Sequence, residues 1–103
     1  MQLAGLRVLD FCWIGAGAFV TRILADLGAE VIKVEPPEGD RTRRLGGFGL
    51  GFFSYFNRNK RGTLLNVRHP MGMDVLKRLI ATSDVVVENF SSGVMASWDL
   101  DYP

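Results

Sequence analysis

The first 35 residues alternate between an extended apolar run, a glycine-rich turn, an amphipathic helix and a second apolar run. Leu6–Phe11 is suited to a buried strand, and Glu30–Glu35 is predicted as the second strand. Gly28 stands just past the predicted helix, where a positive φ is needed. After the turn at Ile14–Ala18, the apolar residues that mark one helix face are Phe19, Val20, Ile23, Leu24 and Leu27. A strand–helix–strand unit of this kind implies parallel pairing and a right-handed crossover.

The middle of the chain predicts a long loop followed by a third strand and its helix. Residues 36–50 contain two prolines and several glycines and are predicted as loop, and residues 51–57 are suited to one or two helical turns. Thr63–Val67 is predicted as the third strand. Pro70 suits the first turn of the next helix, and His69 before it is a weaker cap than Asp, Ser or Thr.

The last part of the chain predicts a fourth strand at Asp84–Phe90. Its run of valines is typical of a strand that is covered on both faces. Ser91 or Ser92 is positioned to cap a short helix that runs through Trp98. The order of elements indicates an α/β fold: a Rossmann-like doubly wound parallel sheet, incomplete, with about four strands and flanking helices.

Length and composition limit the chain to one domain of an ordinary globular kind. It has 103 residues, 22% of them charged, and a formal net charge of +1, which excludes collagen-like, low-complexity and disordered classes. Cys12 is the single cysteine, so no internal disulfide is possible and a cytoplasmic protein is expected. No apolar run approaches the roughly 20 residues that cross a bilayer, and the amino terminus lacks the pattern of a signal peptide. We therefore expect no membrane partner.

The charges are distributed unevenly, although they nearly cancel. Between residues 41 and 73 there is no Asp or Glu, and the bases there are Arg41, Arg43, Arg44, Arg58, Lys60, Arg61 and Arg68. Such a stretch is suited to anion binding, or else its bases pair with acids elsewhere in the fold. The aromatic residues within it are suited either to stacking on a nucleotide or to the core: Phe48, Phe52, Phe53, Tyr55 and Phe56.

The glycine turn after the first strand is a candidate ligand site. Open parallel sheets bind ligands beyond the carboxyl ends of their strands, where Gly15 and Gly17 lie. Glu35 follows Gly15 at the spacing of the ribose-binding acid in dinucleotide folds, but Val20 takes the place of the third glycine. A nicotinamide or flavin site is therefore disfavoured, and a purely structural turn remains open.

Candidate catalytic residues are few. His69 is the single histidine, and its sequence neighbours supply no partner base. Cys12 ends a strand and is interpreted as a buried small residue, while Asp10 and Glu88 either are structural or line the cleft. One His and one Cys cannot build a zinc site, so no metal site is expected. The sequence thus indicates a binding surface without a catalytic set.

Four motifs, in this order and at this spacing, resemble the family III CoA-transferases, the group of formyl-CoA transferase and carnitine CoA-transferase. The motifs are Leu3–Asp10, Leu24–Glu35, Asn57–Arg61 and Asp84–Phe90, and the resemblance extends to Pro103. It implies an enzyme that moves coenzyme A between carboxylic acids, through a mixed anhydride and a thioester on an aspartate.

The resemblance also implies that residues 1–103 are the amino-terminal part of the family's large CoA-binding Rossmann-like domain. The nucleophilic aspartate of the family lies downstream of Pro103, so no catalytic residue is assigned here and this segment alone is expected to be inactive. Acyl-CoA and a carboxylic acid are the implied substrates, with no tightly bound cofactor and no nucleic acid. The full-length parent is expected to be an interlocked homodimer in the cytoplasm.

The family's contacts to CoA match the residues that follow three of the predicted strands: Gly15, Ala16, Leu65, Asn66, Val67, Arg68, Asn89, Phe90 and Ser91. Arg68 stands where the family often has lysine, and its guanidinium can bind phosphate in a fork. Pro36 and Ser97 replace basic residues of the family pattern, and each loss removes a contact of roughly 1.5–3 kcal/mol. We expect nucleotide binding to depend more on other basic side chains, namely Arg41, Arg43 or Lys60.

Two alternatives stay open at this point. Relatives that racemise 2-methylacyl-CoA thioesters tend to carry glycine where this chain has Asn89, which favours the transferase. A non-catalytic nucleotide- or CoA-binding module is the other alternative.

Overall fold

A computed structural model describes residues 1–13, 16–44 and 51–100 of the chain. Its strands are β1 (Arg7–Asp10), β2 (Glu30–Glu35), β3 (Arg61–Leu64) and β4 (Val85–Val87). Its helices are α1 (Ala16–Asp26), a 3-10 helix (Arg41–Arg44), α2 (Phe52–Asn57), α3 (Pro70–Ala81) and α4 (Val94–Ser97). Among these described residues, no helix combines the length and the apolar character needed to span a membrane.

The strands form one parallel sheet in the order β3-β2-β1-β4. β1 lies between β2 and β4, so the chain moves to one side of β1 for β2 and β3 and to the other side for β4. The loops after β1 and β4 therefore diverge at the point where the strand order reverses, which is where open α/β sheets bind ligands. This arrangement confirms the predicted α/β fold with a four-stranded parallel sheet.

Both faces of the sheet carry an apolar cluster, because alternate residues of β1 point to opposite sides. Val8 packs with Ala25, Ala29 and Val31. On the other face, the buried cluster consists of Leu9, Phe11, Val34 and Leu76. Helices on both faces are what a doubly wound sheet requires.

The apolar face predicted for α1 packs against the sheet only in part, through Leu24. Phe19 and Val20 are 39% and 49% exposed, whereas the small residues Ala18 and Ala25 are buried together with Thr21. Small side chains let the helix approach the sheet closely, and the hydroxyl of Thr21 donates a hydrogen bond to Asp10 there. The spacing of large apolar residues could not show that the helix packs through small residues and a hydroxyl group.

Two predicted strands are shorter or lie earlier in the chain than expected. β3 ends at Leu64, where it is paired with the last residue of β2, so residues 65–67 leave the sheet as a turn. β4 ends at Val87, and Val85 and Val86 are each 38% exposed. In the described part of the chain β4 is an edge strand beside β1, and the exposure of Val85 and Val86, which point to opposite faces, shows that the expectation of a strand covered on both faces is wrong here.

The helix ends show which capping predictions were correct. Gly28 has a φ of +105°, as predicted for the residue after α1. The imidazole Nδ1 of His69 accepts a hydrogen bond from the N–H of Met71 at 3.1 Å and caps α3. The cap of α4 was predicted wrongly, because Gly93 with a left-handed φ occupies it and no side chain supplies a capping bond.

Candidate functional site

A cleft with a volume of about 540 Å³ lies at the carboxyl ends of the strands. It is lined by the last two residues of β2 and by residues that follow each of the four strands. These residues are Phe11, Trp13, Val34, Glu35, Pro36, Pro37, Glu38, Arg41, Leu65, Asn66, Val67, Arg68, Phe90 and Trp98.

Five of the predicted CoA contacts line this cleft: Leu65, Asn66, Val67, Arg68 and Phe90. The first four form the turn between β3 and α3, and the N–H of Arg68 donates to the side-chain Oδ1 of Asn66 at 3.1 Å. Ala16, Asn89 and Ser91 are exposed and are not among the lining residues. Gly15 lies outside the described residues.

Two tryptophans in the cleft were missed by the sequence analysis. Trp13 lies three residues after the end of β1, so the strand-end argument that selected Gly15 also applied to it. Trp98 follows α4, and its ring meets the ring of Phe90 edge-on at 5.5 Å between centroids. Only the tertiary fold brings this second ring to the strand ends.

The basic stretch divides into bases that line the cleft and bases that pair within the fold. Arg41 and Arg68 line the cleft, and the guanidinium of Arg41 lies 5.7 Å from the centroid of the Trp13 ring. Arg43 instead forms two hydrogen bonds to Glu35, and Lys60 forms an ion pair with Asp10 at 2.8 Å. Arg43 and Lys60 thus have internal acidic partners and are not among the residues that line the cleft, and their expected contact with phosphate stays a prediction.

The aromatic residues of α2 pack with one another and with α1 rather than into the cleft. The ring of Phe56 contacts the rings of Phe19, Phe52 and Tyr55. The ring of Phe53 lies 3.8 Å from the guanidinium carbon of Arg43. Phe48 lies outside the described residues.

Glu35 lines the cleft, but its carboxylate is committed to the loop that follows β2. Its oxygens accept hydrogen bonds from Arg43 and from the N–H of Asp40 at 2.8 Å. The hydrogen bonds from Arg43 hold the pKa of Glu35 below its ordinary value. The carboxylate is thus ionised and held in place at neutral pH, which makes it a structural anion and not a free general base.

Cys12 is buried, and burial raises the pKa of its thiol to about 12, with the Asp10 carboxylate adding to the effect. The thiol is therefore protonated at neutral pH and is not a nucleophile, as predicted. Asp10 is fully buried and internal, and Glu88 accepts a hydrogen bond from the N–H of Phe90. Among the described residues no group of three potential metal ligands occurs.

The side chain of Asn89 joins the loops after β1 and β4 by hydrogen bonds. Asn89 accepts a hydrogen bond from the N–H of Trp13 at 3.0 Å and donates to the Trp13 carbonyl oxygen at 2.6 Å. Gly17 allows the start of α1 to pack closely, because a Cβ there would lie 2.6 Å from the Cys12 sulfur. Gly17, the second glycine of the candidate turn, thus has the structural role that the sequence left open.

Comparison with protein families matches residues 3–103 to the family described as CoA-transferase family III. The succinyl-CoA–L-malate CoA-transferase beta subunit of Chloroflexus aurantiacus is 44% identical in an alignment of 108 positions, which covers 99% of this chain and 26% of that protein. The human succinyl-CoA:glutarate CoA-transferase is 42% identical over 97% of this chain and 24% of its own length. The chain thus spans about a quarter of the length of these relatives.

Solved structures agree with the sequence matches. A CAIB/BAIF family protein from Brucella suis superposes with a TM-score of 0.88 at 42% identity, covering 96% of this chain and 28% of that one. A hypothetical protein from Mycobacterium tuberculosis gives a TM-score of 0.91 at 38% identity, covering 97% of this chain and 28% of that one.

Proposed function

This chain belongs to CoA-transferase family III, and from that premise we propose that the protein carrying it transfers coenzyme A between carboxylic acids. We further propose that the cleft beyond the strand ends binds the CoA moiety of the acyl-CoA substrate. The observation that carries the proposal is the position of the turn 65–68, which lines the cleft at the end of β3 and which the resemblance had assigned to CoA.

The chemistry of the cleft suits this ligand. CoA joins phosphate groups, an adenine ring and a long, mostly uncharged arm, and the cleft offers guanidinium groups, indole rings and apolar walls. Arg41 and Arg68 supply positive charge for phosphate, and Trp13 and Trp98 supply ring surfaces. Val34 and Leu65 supply apolar surface.

The residues of this chain would bind and orient CoA and would not carry the covalent step. The resemblance assigns the anhydride and the thioester to an aspartate downstream of Pro103. The contacts proposed at Ala16, Asn89 and Ser91 require the ligand to reach beyond the lining of the cleft towards the loop after β4. We also propose an interlocked homodimer in the cytoplasm, with no tightly bound cofactor.

The test is an assay on the longest natural open reading frame that contains these residues. The protein is incubated with succinyl-CoA and a panel of dicarboxylic and monocarboxylic acids, and new CoA thioesters are identified by mass spectrometry. Transfer to at least one acid, with a covalent CoA adduct on an aspartate, supports the proposal. Binding of CoA without transfer to any acid would contradict it and would favour a non-catalytic module.

The racemase alternative is tested in the same preparation. A chiral 2-methylacyl-CoA is incubated in deuterated water, because only a racemase exchanges the α-proton. Deuterium incorporation without transfer would replace the proposed activity by isomerisation.

A further inference from the structure

Near the carboxyl ends of β1 and β2 lies a group of buried charged side chains that are not among the lining residues of the cleft. The side chains of Lys33 and Lys60 are each 2% exposed, and their partners Asp40 and Asp10 are 2% and 0% exposed. Lysine is almost never fully buried unless it is paired. A buried ion pair is also weak evidence for stability, because desolvating the two charges offsets their attraction. The two pairs therefore need another explanation.

Lys33 connects the end of β1 to the loop that follows β2. Its Nζ donates to the carbonyl oxygen of Cys12 at 2.7 Å and pairs with Asp40 at 2.9 Å. Asp40 in turn accepts hydrogen bonds from the N–H and the hydroxyl of Thr42, at the start of the 3-10 helix. Burial acts to raise the pKa of Asp40, but the hydrogen bonds from Lys33 and Thr42 outweigh it and the net pKa is lowered.

Lys60 contacts residues that lie before and after Cys12 in the chain. Its Nζ pairs with Asp10 at 2.8 Å and also donates to the carbonyl oxygen of Ala18 at 3.1 Å, in the first turn of α1. Asp10 accepts hydrogen bonds from the N–H of Cys12 at 2.7 Å and from Thr21 at 2.8 Å. The N–H of Cys12 is therefore bound by a carboxylate that Lys60 holds, and its carbonyl is bound by Lys33.

Cys12 precedes the tryptophan that lines the cleft. Trp13 is fixed through its own N–H and carbonyl by Asn89, so the backbone polar groups of two consecutive residues are bound by side chains from β1, β2 and the segment after β4. Burying charge around a short loop is a means of setting its geometry, because each hydrogen bond to an ionised group is directional and strong.

We propose that Lys33 and Lys60 are positioning residues that fix the backbone at Cys12 and thereby place Trp13 and the start of α1 against the ligand. The part of this inference that concerns CoA rests on the proposed function. The role of the two lysines in fixing the backbone at Cys12 does not depend on the proposed function, and it is tested separately.

The test compares two double variants of the full-length protein that each remove one ion pair. Lys33→Met with Asp40→Asn takes away the partner of the Cys12 carbonyl and leaves no buried charge unpaired. Arg78→Met with Asp74→Asn removes an exposed pair on α3, whose side chains are 78% and 60% exposed, with the same change in charge. Hydrogen exchange is read on peptides that cover residues 11–18, and CoA affinity is read by calorimetry.

The inference predicts at least tenfold faster exchange at residues 12–13 in the Lys33 variant, with exchange in α3 unchanged. It also predicts a dissociation constant for CoA raised about tenfold or more. The exposed-pair variant is expected to match the wild type in both. A Lys33 variant that folds and exchanges like the wild type at residues 12–13 would overturn the inference.

If the first variant fails to fold, the inference is tested by a double variant of the second ion pair and by hydrogen exchange of the wild type. Lys60→Met with Asp10→Asn is expected to loosen the same two residues. In the wild type, the N–H groups of Cys12 and Trp13 are expected to exchange as slowly as those of β1, and exchange as fast as that of residues 36–39 would contradict the inference. If the wild type binds no CoA, the proposed function fails while the exchange data still decide the positioning role.

Discussion

At the scale of single residues, Arg68 is a cation whose expected contact with CoA agrees with its position in the cleft. It belongs to the turn that lines the cleft, whereas Arg7 lies at the opposite end of β1 and bonds to Glu30 and Thr82. Arg68→Ala is expected to weaken CoA binding by about 1.5–3 kcal/mol, because a charge-assisted contact to phosphate is lost. Calorimetric titration of both variants checks this prediction. Equal losses in Arg68→Ala and Arg7→Ala would count against the assignment of the cleft.

Gly72 in the first turn of α3 is a second residue with a defined consequence. A Cβ at this position would overlap the carbonyl oxygen of Asn66, which is backbone and cannot rotate away. Gly72→Ala is therefore expected to displace the turn 65–68, to lower stability by about 1–3 kcal/mol and to weaken CoA binding. Met71→Ala changes an exposed side chain in the same turn and serves as the control. Thermal unfolding measures the stability of the two variants, and titration measures their affinity for CoA. An unchanged affinity in Gly72→Ala would refute the prediction.

The turn 65–68 could be predicted from the sequence, but the cations that line the cleft could not be separated from Arg43 and Lys60, which pair within the fold. Arg41, Arg43 and Lys60 look alike in a run of bases, because the pattern does not show which have acidic partners. Asp10 and Lys60 are far apart along the chain and meet only through parallel pairing of the strands. The position of Trp98 in the cleft could not be predicted for the same reason.

At the scale of elements, the segment 36–44 is one wall of the cleft and is tied to β2 by Glu35. The carboxylate binds Arg43 at 2.8 and 2.9 Å and the N–H of Asp40 at 2.8 Å. Glu35→Gln removes the charge that holds Arg43, so this wall is expected to loosen. Hydrogen exchange at residues 36–44 should become several-fold faster while β1 is unaffected. No change in that segment would show that the ion pair does not hold it.

The types of the elements could be predicted from the sequence, but the residues at which the elements end could be predicted less well. Strand and helix periodicity located β2 at the residues observed, because prolines stop it and Gly28 precedes it. β3 was placed too late because Leu65 and Val67 are apolar, yet β2 ends opposite Leu64 and offers no further partner strand. These apolar residues pack beside the second core cluster from the turn.

At the scale of the whole molecule, acid is expected to unfold the protein by protonating carboxylates that are paired in the folded state. The pKa values of Glu35 and Asp40 lie below their ordinary values of 4.5 and 3.8. Both carboxylates therefore stabilise the fold above those values, and this contribution is lost as the pH falls through the lowered values. The melting temperature should fall steeply below about pH 4.5.

Glu35→Gln tests the origin of that acid sensitivity. The variant lacks one of the two carboxylates, so its melting temperature is expected to depend less on pH in the acid range than that of the wild type. Curves of identical steepness would show that Glu35 does not contribute to the acid transition.

The central claim is that the cleft at the strand ends holds coenzyme A, and a crystal structure of the full-length protein with CoA tests it most directly. The nucleotide is predicted to lie between the turn 65–68 and Phe90, with its phosphates within hydrogen-bonding distance of Arg41 or Arg68 and its base against Trp13 or Trp98. CoA bound at a site that touches none of these residues would contradict the claim.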